Sequence, residues 1–169
     1  RCDYLFHDYL LLVRGAGMGT ASEALSLAAQ LCRRFEGFSA TPYICPAGYW
    51  TQGYGTVWRP DGRKVLPDDP PISRELAEEW LLHELRTNYM PGVLKASPGL
   101  LTNPRALAAM TDFAYNLGIA RYRASTLRKK VNARDWESAK RELARWVFAG
   151  GKKLPGLVRR RAAEAALLG

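Results

Sequence analysis

The chain has 169 residues, of which 47% are hydrophobic and 24% are charged. This length suits about one domain, and the apolar fraction supports a packed core, so a disordered chain is excluded. No stretch reaches the ~18 apolar residues that a membrane-spanning helix requires. The cysteines Cys2, Cys32 and Cys45 form neither a CxxC pair nor a zinc spacing, and an odd number cannot close completely within one chain. Disulfides are therefore not expected to carry the fold.

The net charge of +9 is concentrated in the last third of the chain. Residues 121–169 contain 14 basic and 4 acidic side chains, whereas residues 1–70 contain 7 of each and residues 71–120 contain 4 basic and 5 acidic ones. Such a charge attracts a polyanion, which can be a nucleic acid, an anionic membrane or an acidic wall polymer. A solvated basic face that only aids solubility is the alternative.

The chain is predicted to begin with an extension of unknown role at residues 1–19, flexible near its glycines and serving as a tag, a membrane-active peptide or an anchor. Apolar residues at helical spacing then predict a helix over 20–37. Thr20 or Ser22 is expected to cap its start, and Gly37 is expected to end it.

Prolines and glycines divide residues 41–71 into short aromatic and β-branched runs, a pattern typical of a small antiparallel sheet. Residues 59–64 read as its hairpin turn. Helical periodicity then returns, with Ser73 as a cap. Predicted helices lie near 74–88, 104–117, 124–132, 135–148 and 157–167, with joints at Pro91, Pro98, Pro104 and Pro155. The predicted fold is therefore α+β, with a sheet lobe at about 38–71 and a larger helical lobe at about 72–169, together forming one domain over 20–169.

Glu36 is the leading candidate for chemistry because it lies where the first helix meets the sheet. Its neighbours Phe35 and Phe38 disfavour an ionised carboxylate, which suits a general acid. Two preceding arginines act in the opposite direction if they face it, and an ordinary surface charge is the alternative reading.

The segment after Glu36 carries "GYWTQGYGT" at 48–56, a hairpin that offers close approach at Gly53 and Gly55 and ring faces on which a sugar or base can stack. Thr51 supplies a hydroxyl and Cys45 a thiol, and both can hold a water molecule. The alternative is a hairpin whose aromatic rings only cover the core.

Residues 35–56, "FEGFSATPYICPAGYWTQGYGT", resemble the catalytic stretch of the phage-type lysozymes, the endolysins of glycoside hydrolase family 24. The family pattern is Glu, eight residues, Asp or Cys, five residues and Thr, and Glu36, Cys45 and Thr51 fit it without a gap. Two later blocks, at 113–136 and 145–167, also resemble the family, so the likeness extends over about 22–168.

This resemblance implies a lysozyme-like fold with an active-site cleft between the two lobes, and cleavage of peptidoglycan between N-acetylmuramic acid and N-acetylglucosamine. Glu36 would protonate the leaving oxygen, and Cys45 with Thr51 would hold the attacking water. Many members carry Asp where this chain has Cys45. A thiol is a weaker base until it ionises, and the pKa of a free cysteine thiol is about 8.5.

Further assignments follow from the same resemblance. Substrate-binding residues are expected to be Gly53, Tyr54, Asn116 and Arg160. One of the three arginines at 159–161 is expected to pair with Glu36, a choice that the sequence leaves open. His7 and His83 stand alone, so neither a metal site nor a cofactor is expected.

The cysteines suggest a separate hypothesis, in which a disulfide from Cys45 to Cys32 or Cys2 holds the enzyme inactive until thiol exchange frees Cys45. The alternative is that Cys32 is an ordinary core residue.

The expected enzyme is a monomer that is made in the host cytoplasm, is exported by an unknown route and acts on peptidoglycan in the periplasm, and its basic third can contact an anionic outer-membrane or membrane surface. Three alternatives stay open. A lytic transglycosylase would use the same glutamate without water, a nucleic-acid-binding module would use the basic third, and a wall-binding protein would lack activity. The intact Glu36–Cys45–Thr51 spacing argues against the last, and no nucleic-acid partner is expected.

Overall fold

The computed structural model describes residues 18–45 and 47–169, and helices predominate there. The helices are α1 Met18–Glu36, α2 Arg74–Glu84, α3 Met90–Ala96, α4 Pro104–Leu117, α5 Ile119–Ala124, α6 Thr126–Asn132, α7 Trp136–Leu143 and α8 Pro155–Ala165. A π-helical turn, Leu85–Tyr89, joins α2 to α3, and a 3₁₀ turn, Pro98–Thr102, precedes α4. The strands are β1 Ser39–Ile44, β2 Trp50–Gly53, β3 Phe148–Ala149 and β4 Lys152–Lys153. The predicted α+β class is confirmed.

Helix α1 ends at Glu36, as the sequence predicts. Gly37 follows it with φ 73°, a left-handed conformation that glycine adopts without the penalty of a Cβ. The predicted caps are wrong, because Thr20 and Ser22 lie inside the helix, which is described from Met18 onward. The end of the helix therefore places Glu36 next to the start of the sheet.

Strands β1 and β2 form an antiparallel pair that begins immediately after α1. Tyr43 lies opposite Thr51, and Ile44 lies opposite Trp50, so Cys45 is at the end of the strand beside that pair. The predicted turn at 59–64 is confirmed by a bridge between Trp58 and Lys64 and by a 2.8 Å hydrogen bond from Arg59 N to Arg63 O.

The predicted joint at Pro91 is wrong, because residues 74–96 form one continuous helical run. The π-helical turn shifts the backbone register directly before Pro91, which lies at the start of α3, where a missing N–H is tolerated. The predicted cap of α2 is confirmed, since the Ser73 hydroxyl accepts a 3.1 Å hydrogen bond from Leu76 N.

The C-terminal half differs from the prediction in two places. The expected helix at 124–132 is preceded by α5, which begins just after Gly118, and Ser125 separates α5 from α6. The expected helix at 135–148 stops at Leu143, and β3 and β4 form a two-residue hairpin after it. Gly150 and Gly151 occupy its turn with φ 56° and 73°. The final helix, α8, begins at Pro155.

Two groups of buried apolar side chains form the core, and α1 contributes to both. One group surrounds Phe113 and Tyr122 within the helical part. The other joins α1, the sheet region and α2, and its members include Ala28, Cys32, Tyr54, Trp80 and Leu81. The C-terminal end of α1 is therefore held between the helices and the sheet.

The predicted extension at 1–19 falls, for residues 1–17, outside the described part of the chain. Within the described part, the helices are too short or too polar to cross a bilayer.

Candidate active site

Glu36 presents its two carboxylate oxygens to different surroundings. Its side chain is 24% exposed, and Oε1 accepts a 2.5 Å hydrogen bond from Nη1 of Arg160. Oε2 faces Gly55, where a Cβ atom would lie 3.8 Å from it. Gly55 has φ 102°, so both its backbone and its lack of a side chain suit this close approach. One oxygen is thus held by a cation, and the other borders the hairpin.

Cys45 directly follows β1 and Thr51 lies in β2, so both are near the loop that joins the two strands. Partial burial opposes ionisation of the thiol, but hydrogen bonds from Tyr49 N–H, the Thr51 hydroxyl and Ala47 N–H lower the pKa of Cys45. The Thr51 side chain is buried, and its hydroxyl can alternatively donate 3.0 Å to the Tyr49 carbonyl. This arrangement favours a thiolate at Cys45.

Tyr43 is a common neighbour of the two sides of this site. Partial burial raises the pKa of Tyr43, and the negative charges of Glu36 and then of Cys45 raise it further. Because charge effects fall with distance, the phenol lies within electrostatic range of both groups. Tyr43, which pairs with Thr51 across the sheet, is therefore influenced by the charges of both Glu36 and Cys45.

Arg160 is the arginine that contacts Glu36, a choice that the sequence leaves open. Its guanidinium is 3% exposed and binds the Asp112 carboxylate through two hydrogen bonds, of 2.9 Å from Nε and 2.8 Å from Nη2. Arg159 is exposed, and Arg161 turns to Glu164. All three nitrogens of Arg160 thus face carboxylates, and its predicted contact with substrate stays a prediction.

Asn116 belongs to the same buried cluster. Its Oδ1 accepts a 3.1 Å hydrogen bond from Nη2 of Arg161, which also donates 2.6 Å to Glu164 Oε1. Burial raises the pKa of Glu164 well above its ordinary range, and the charge of Asp112 raises it further. Asn116 therefore helps to hold a buried arginine, and its predicted sugar contact stays a prediction.

Gly53 and Tyr54 are both packed against protein. A Cβ on Gly53 would lie 3.0 Å from Ala77 Cβ, so the close approach at this glycine is to α2. The ring of Tyr54 is 5.6 Å from that of Phe38 between centroids, and its backbone carbonyl accepts a 2.8 Å hydrogen bond from Tyr115. Their predicted roles in substrate binding stay predictions.

Sequence reasoning missed Asp112, Tyr115 and Glu164, which form hydrogen bonds to the side chains and backbone around Glu36. A signal for Asp112 exists, since it is the charged residue in the mostly apolar stretch of α4 from Ala106 to Ala114. A buried charge requires a partner, and this rule predicts an ion pair. The identity of that partner, 48 residues away, is not readable from local pattern.

Cys32 is fully buried and donates a 3.3 Å hydrogen bond to Asp112 Oδ1. Burial raises the pKa of its thiol well above the usual range. Within the described residues, Cys32 and Cys45 are both free cysteines, whereas Cys2 lies outside them. The disulfide hypothesis stays a prediction.

A mostly helical α+β fold with a small antiparallel sheet, and with a partly exposed carboxyl where α1 meets that sheet, is that of a glycoside hydrolase of the lysozyme type. A family model described as "Phage lysozyme" matches residues 33–164, and the chain belongs to this family. It is therefore an enzyme, a lysozyme that degrades peptidoglycan.

Relatives agree with this assignment. The chain is 33% identical over 141 residues to an endolysin of Acyrthosiphon pisum secondary endosymbiont phage 1, which covers 81% of this chain and 91% of that protein. It is 46% identical over 132 residues to a SAR-endolysin of Enterobacteria phage PA-2, covering 76% and 74% of the two chains. Among solved structures, the endolysin of Escherichia coli O157:H7 phage FAHEc1 superposes with a TM-score of 0.71 at 31% identity, covering 84% of this chain and 90% of the other. The fold is lysozyme-like.

Proposed function

We propose that this lysozyme is an endolysin that hydrolyses the β-1,4 bond between N-acetylmuramic acid and N-acetylglucosamine, with Glu36 as the general acid. The observation that carries the proposal is the position of Glu36, whose Oε1 is held by Arg160 while Oε2 borders Gly55 of the hairpin. A partly exposed carboxyl that is fixed on one side can donate a proton on the other.

Cys45 and Thr51 hold the attacking water in this proposal. The water adds to the anomeric carbon as the bond to the leaving oxygen breaks, and that oxygen takes the proton of Glu36. The proton that the water loses passes to the sulfur of Cys45, whose lowered pKa favours the thiolate form that accepts it. The Thr51 hydroxyl orients the water, and the products carry a new reducing end.

The decisive experiment compares wall digestion by the wild type, Glu36→Gln and Glu23→Gln. Glu23 is an exposed glutamate on the same helix, so its variant is a matched control for loss of a charge. E36Q is expected to lose nearly all lysis, by about 10³-fold or more, while E23Q keeps it and both retain the helical circular dichroism spectrum. Full lysis by folded E36Q would refute the proposal.

Analysis of the glycan ends separates hydrolysis from the transglycosylase alternative. New reducing ends are expected if water attacks. Anhydromuramic ends would instead show that Glu36 acts as acid and then base without water, and that Cys45 and Thr51 do not hold a nucleophile.

The partners and organisation of the enzyme form part of the same proposal. The catalytic domain spans 20–169, preceded by the extension at 1–19, and the protein acts as a monomer in the periplasm, on the cell wall.

The basic third contacts an anionic membrane, since Lys152, Lys153 and Arg159 are exposed near the exposed ring of Phe148. Salt-sensitive co-sedimentation with phosphatidylglycerol vesicles, lost in K152E/K153E, is the expected result, whereas equal binding to neutral vesicles would exclude it.

A further inference from the structure

Arg160 is bound by two carboxylates that differ in exposure. Glu36 is 24% exposed and reaches solvent, whereas Asp112 is fully buried. Burial opposes ionisation of Asp112, but the hydrogen bonds and the charge of Arg160 outweigh it and lower the pKa of Asp112. Asp112 is therefore a permanent anion beneath the catalytic acid.

The charges around Glu36 create a conflict for an acid that must keep its proton. Arg160 and Arg161 are buried cations, and Arg161 donates a 2.6 Å hydrogen bond to Glu164, whereas Arg160 contacts Glu36 directly. A cation within ~4–6 Å favours a carboxylate over a carboxylic acid. Asp112 is the carboxylate that balances the charge of Arg160 from the side opposite to Glu36.

We propose that Asp112 is a positioning residue that fixes the fork of Arg160 and offsets its charge, so that Glu36 retains a proton while its Oε1 stays hydrogen-bonded. The inference rests on the proposed role of Glu36 as general acid. Two parallel hydrogen bonds to Asp112 fix the guanidinium plane, and the remaining nitrogen, Nη1, is directed at Glu36.

Other titratable and charged groups also face Glu36, from each element packed against it. They are Arg160 and Arg161 of α8, Tyr115 of α4, Tyr43 of β1, Tyr89 of the π-helical turn and Cys32 of α1 itself. The pKa values of the tyrosines and of Cys32 are raised, so these groups are uncharged near neutral pH. Asp112 is thus the carboxylate, besides Glu36 itself, that is hydrogen-bonded to Arg160, and its removal changes the charge balance at that guanidinium.

The test is the pH dependence of the initial rate of wall lysis by Asp112→Asn at constant ionic strength. A general acid loses activity as pH rises through its pKa, and loss of the Asp112 charge stabilises the Glu36 carboxylate. The alkaline limb of the profile is therefore expected to move to lower pH by about one unit, which corresponds to about a tenfold lower rate on that limb.

Glu164→Gln is the control within the same cluster, because Glu164 is hydrogen-bonded to Arg161 and not to the guanidinium that contacts Glu36. Its alkaline limb is expected to move less than that of D112N even if the overall rate falls. Asp112→Ser is a second neutral variant, whose hydroxyl can still accept from Arg160, and it is used if D112N does not fold. Asp112→Glu keeps the charge and disturbs the geometry, so its rate falls without a shift of the limb.

An unmoved limb in folded D112N or D112S would overturn the inference, as would an equal shift in E164Q. These outcomes are distinguishable from failure of the proposed function, because that failure appears as lysis by E36Q. A lower rate with no change in the profile would reduce Asp112 to a purely structural residue.

Discussion

The phenol of Tyr115 donates a 2.8 Å hydrogen bond to the backbone carbonyl of Tyr54, 61 residues earlier in the chain. This bond ties helix α4 to the hairpin one residue before Gly55. The Tyr115 hydroxyl is also 3.4 Å from the position of a Cβ on Gly55. The backbone at Gly55, which borders Glu36 Oε2, is thus anchored to α4.

Tyr115→Phe is expected to reduce lysis more than its effect on stability explains, because it releases the hairpin from α4. The stability loss should be about 1 kcal/mol, typical of one buried hydrogen bond. Tyr122→Phe is a matched control, since it breaks the 2.7 Å bond to Ser97 in the helical core. Denaturant unfolding and lysis rates of both variants provide the measurement, and an equal loss of lysis would contradict this role for Tyr115.

Gly55→Ala is expected to abolish most lysis, because its methyl group would enter the space beside Glu36 Oε2 and the Tyr115 hydroxyl. Gly62→Ala is the control, since Gly62 also has a positive φ, 82°, but faces open space. Both should lose about 1–2 kcal/mol of stability through backbone strain. Comparable lysis by the two alanine variants would show that the space at Gly55 is not used.

Cys45 is expected to react with iodoacetamide at a lower pH than an ordinary cysteine, because its pKa is lowered, whereas buried Cys32 stays unlabelled. Thr51→Val should move the labelling profile to higher pH, since it removes one hydrogen bond to the thiolate. Peptide mass spectrometry of pH-dependent labelling measures both effects.

Loss of lysis should follow Cys45 labelling in the wild type. Cys45→Asp should retain activity and resist the reagent, whereas Cys45→Ala should lose most activity without it. Full lysis by C45A would show that the water is held in another way.

Glu84 introduces a pH dependence of stability that is independent of catalysis. Burial raises its pKa to about 7, and its Oε2 has no hydrogen-bond partner within the described part of the chain. Because the folded pKa lies above the unfolded one, its contribution is fully present below about pH 4.3 and is lost as pH rises through 7. Glu84→Gln should flatten the stability profile over this window by about 1–3 kcal/mol in urea unfolding. Parallel profiles for the two proteins would contradict the assignment.

The sequence predicts the parts of this structure that are set locally. Gly37 ends α1 at Glu36, and the hairpin glycines and the turn at 59–64 lie where backbone chemistry requires them. The sequence does not predict helix continuity through Pro91, because the π-helical turn is a register change that packing stabilises and composition does not reveal. The strands at 148–153 are too short to show a periodicity of two.

The supporting cluster could not be derived in the same way. Arg159, Arg160 and Arg161 have the same side chain, so the sequence does not distinguish them. The rotation of α8 against α1 and α4 determines that Arg160 contacts Glu36, which is 124 residues away. Asp112 and Glu164 have the same ionisable group, yet burial and partners lower the pKa of Asp112 and raise that of Glu164. Such differences arise from tertiary packing.

The buried guanidinium of Arg160 joins parts of the chain that are far apart in sequence. Its partners Glu36 and Asp112 lie 124 and 48 residues before it, on α1 and α4. Separation of α8 from these two helices, even without unfolding of β1 and β2, would therefore remove the cation that holds Glu36 Oε1. The integrity of this site thus depends on the docking of one helix as well as on the hairpin beside it.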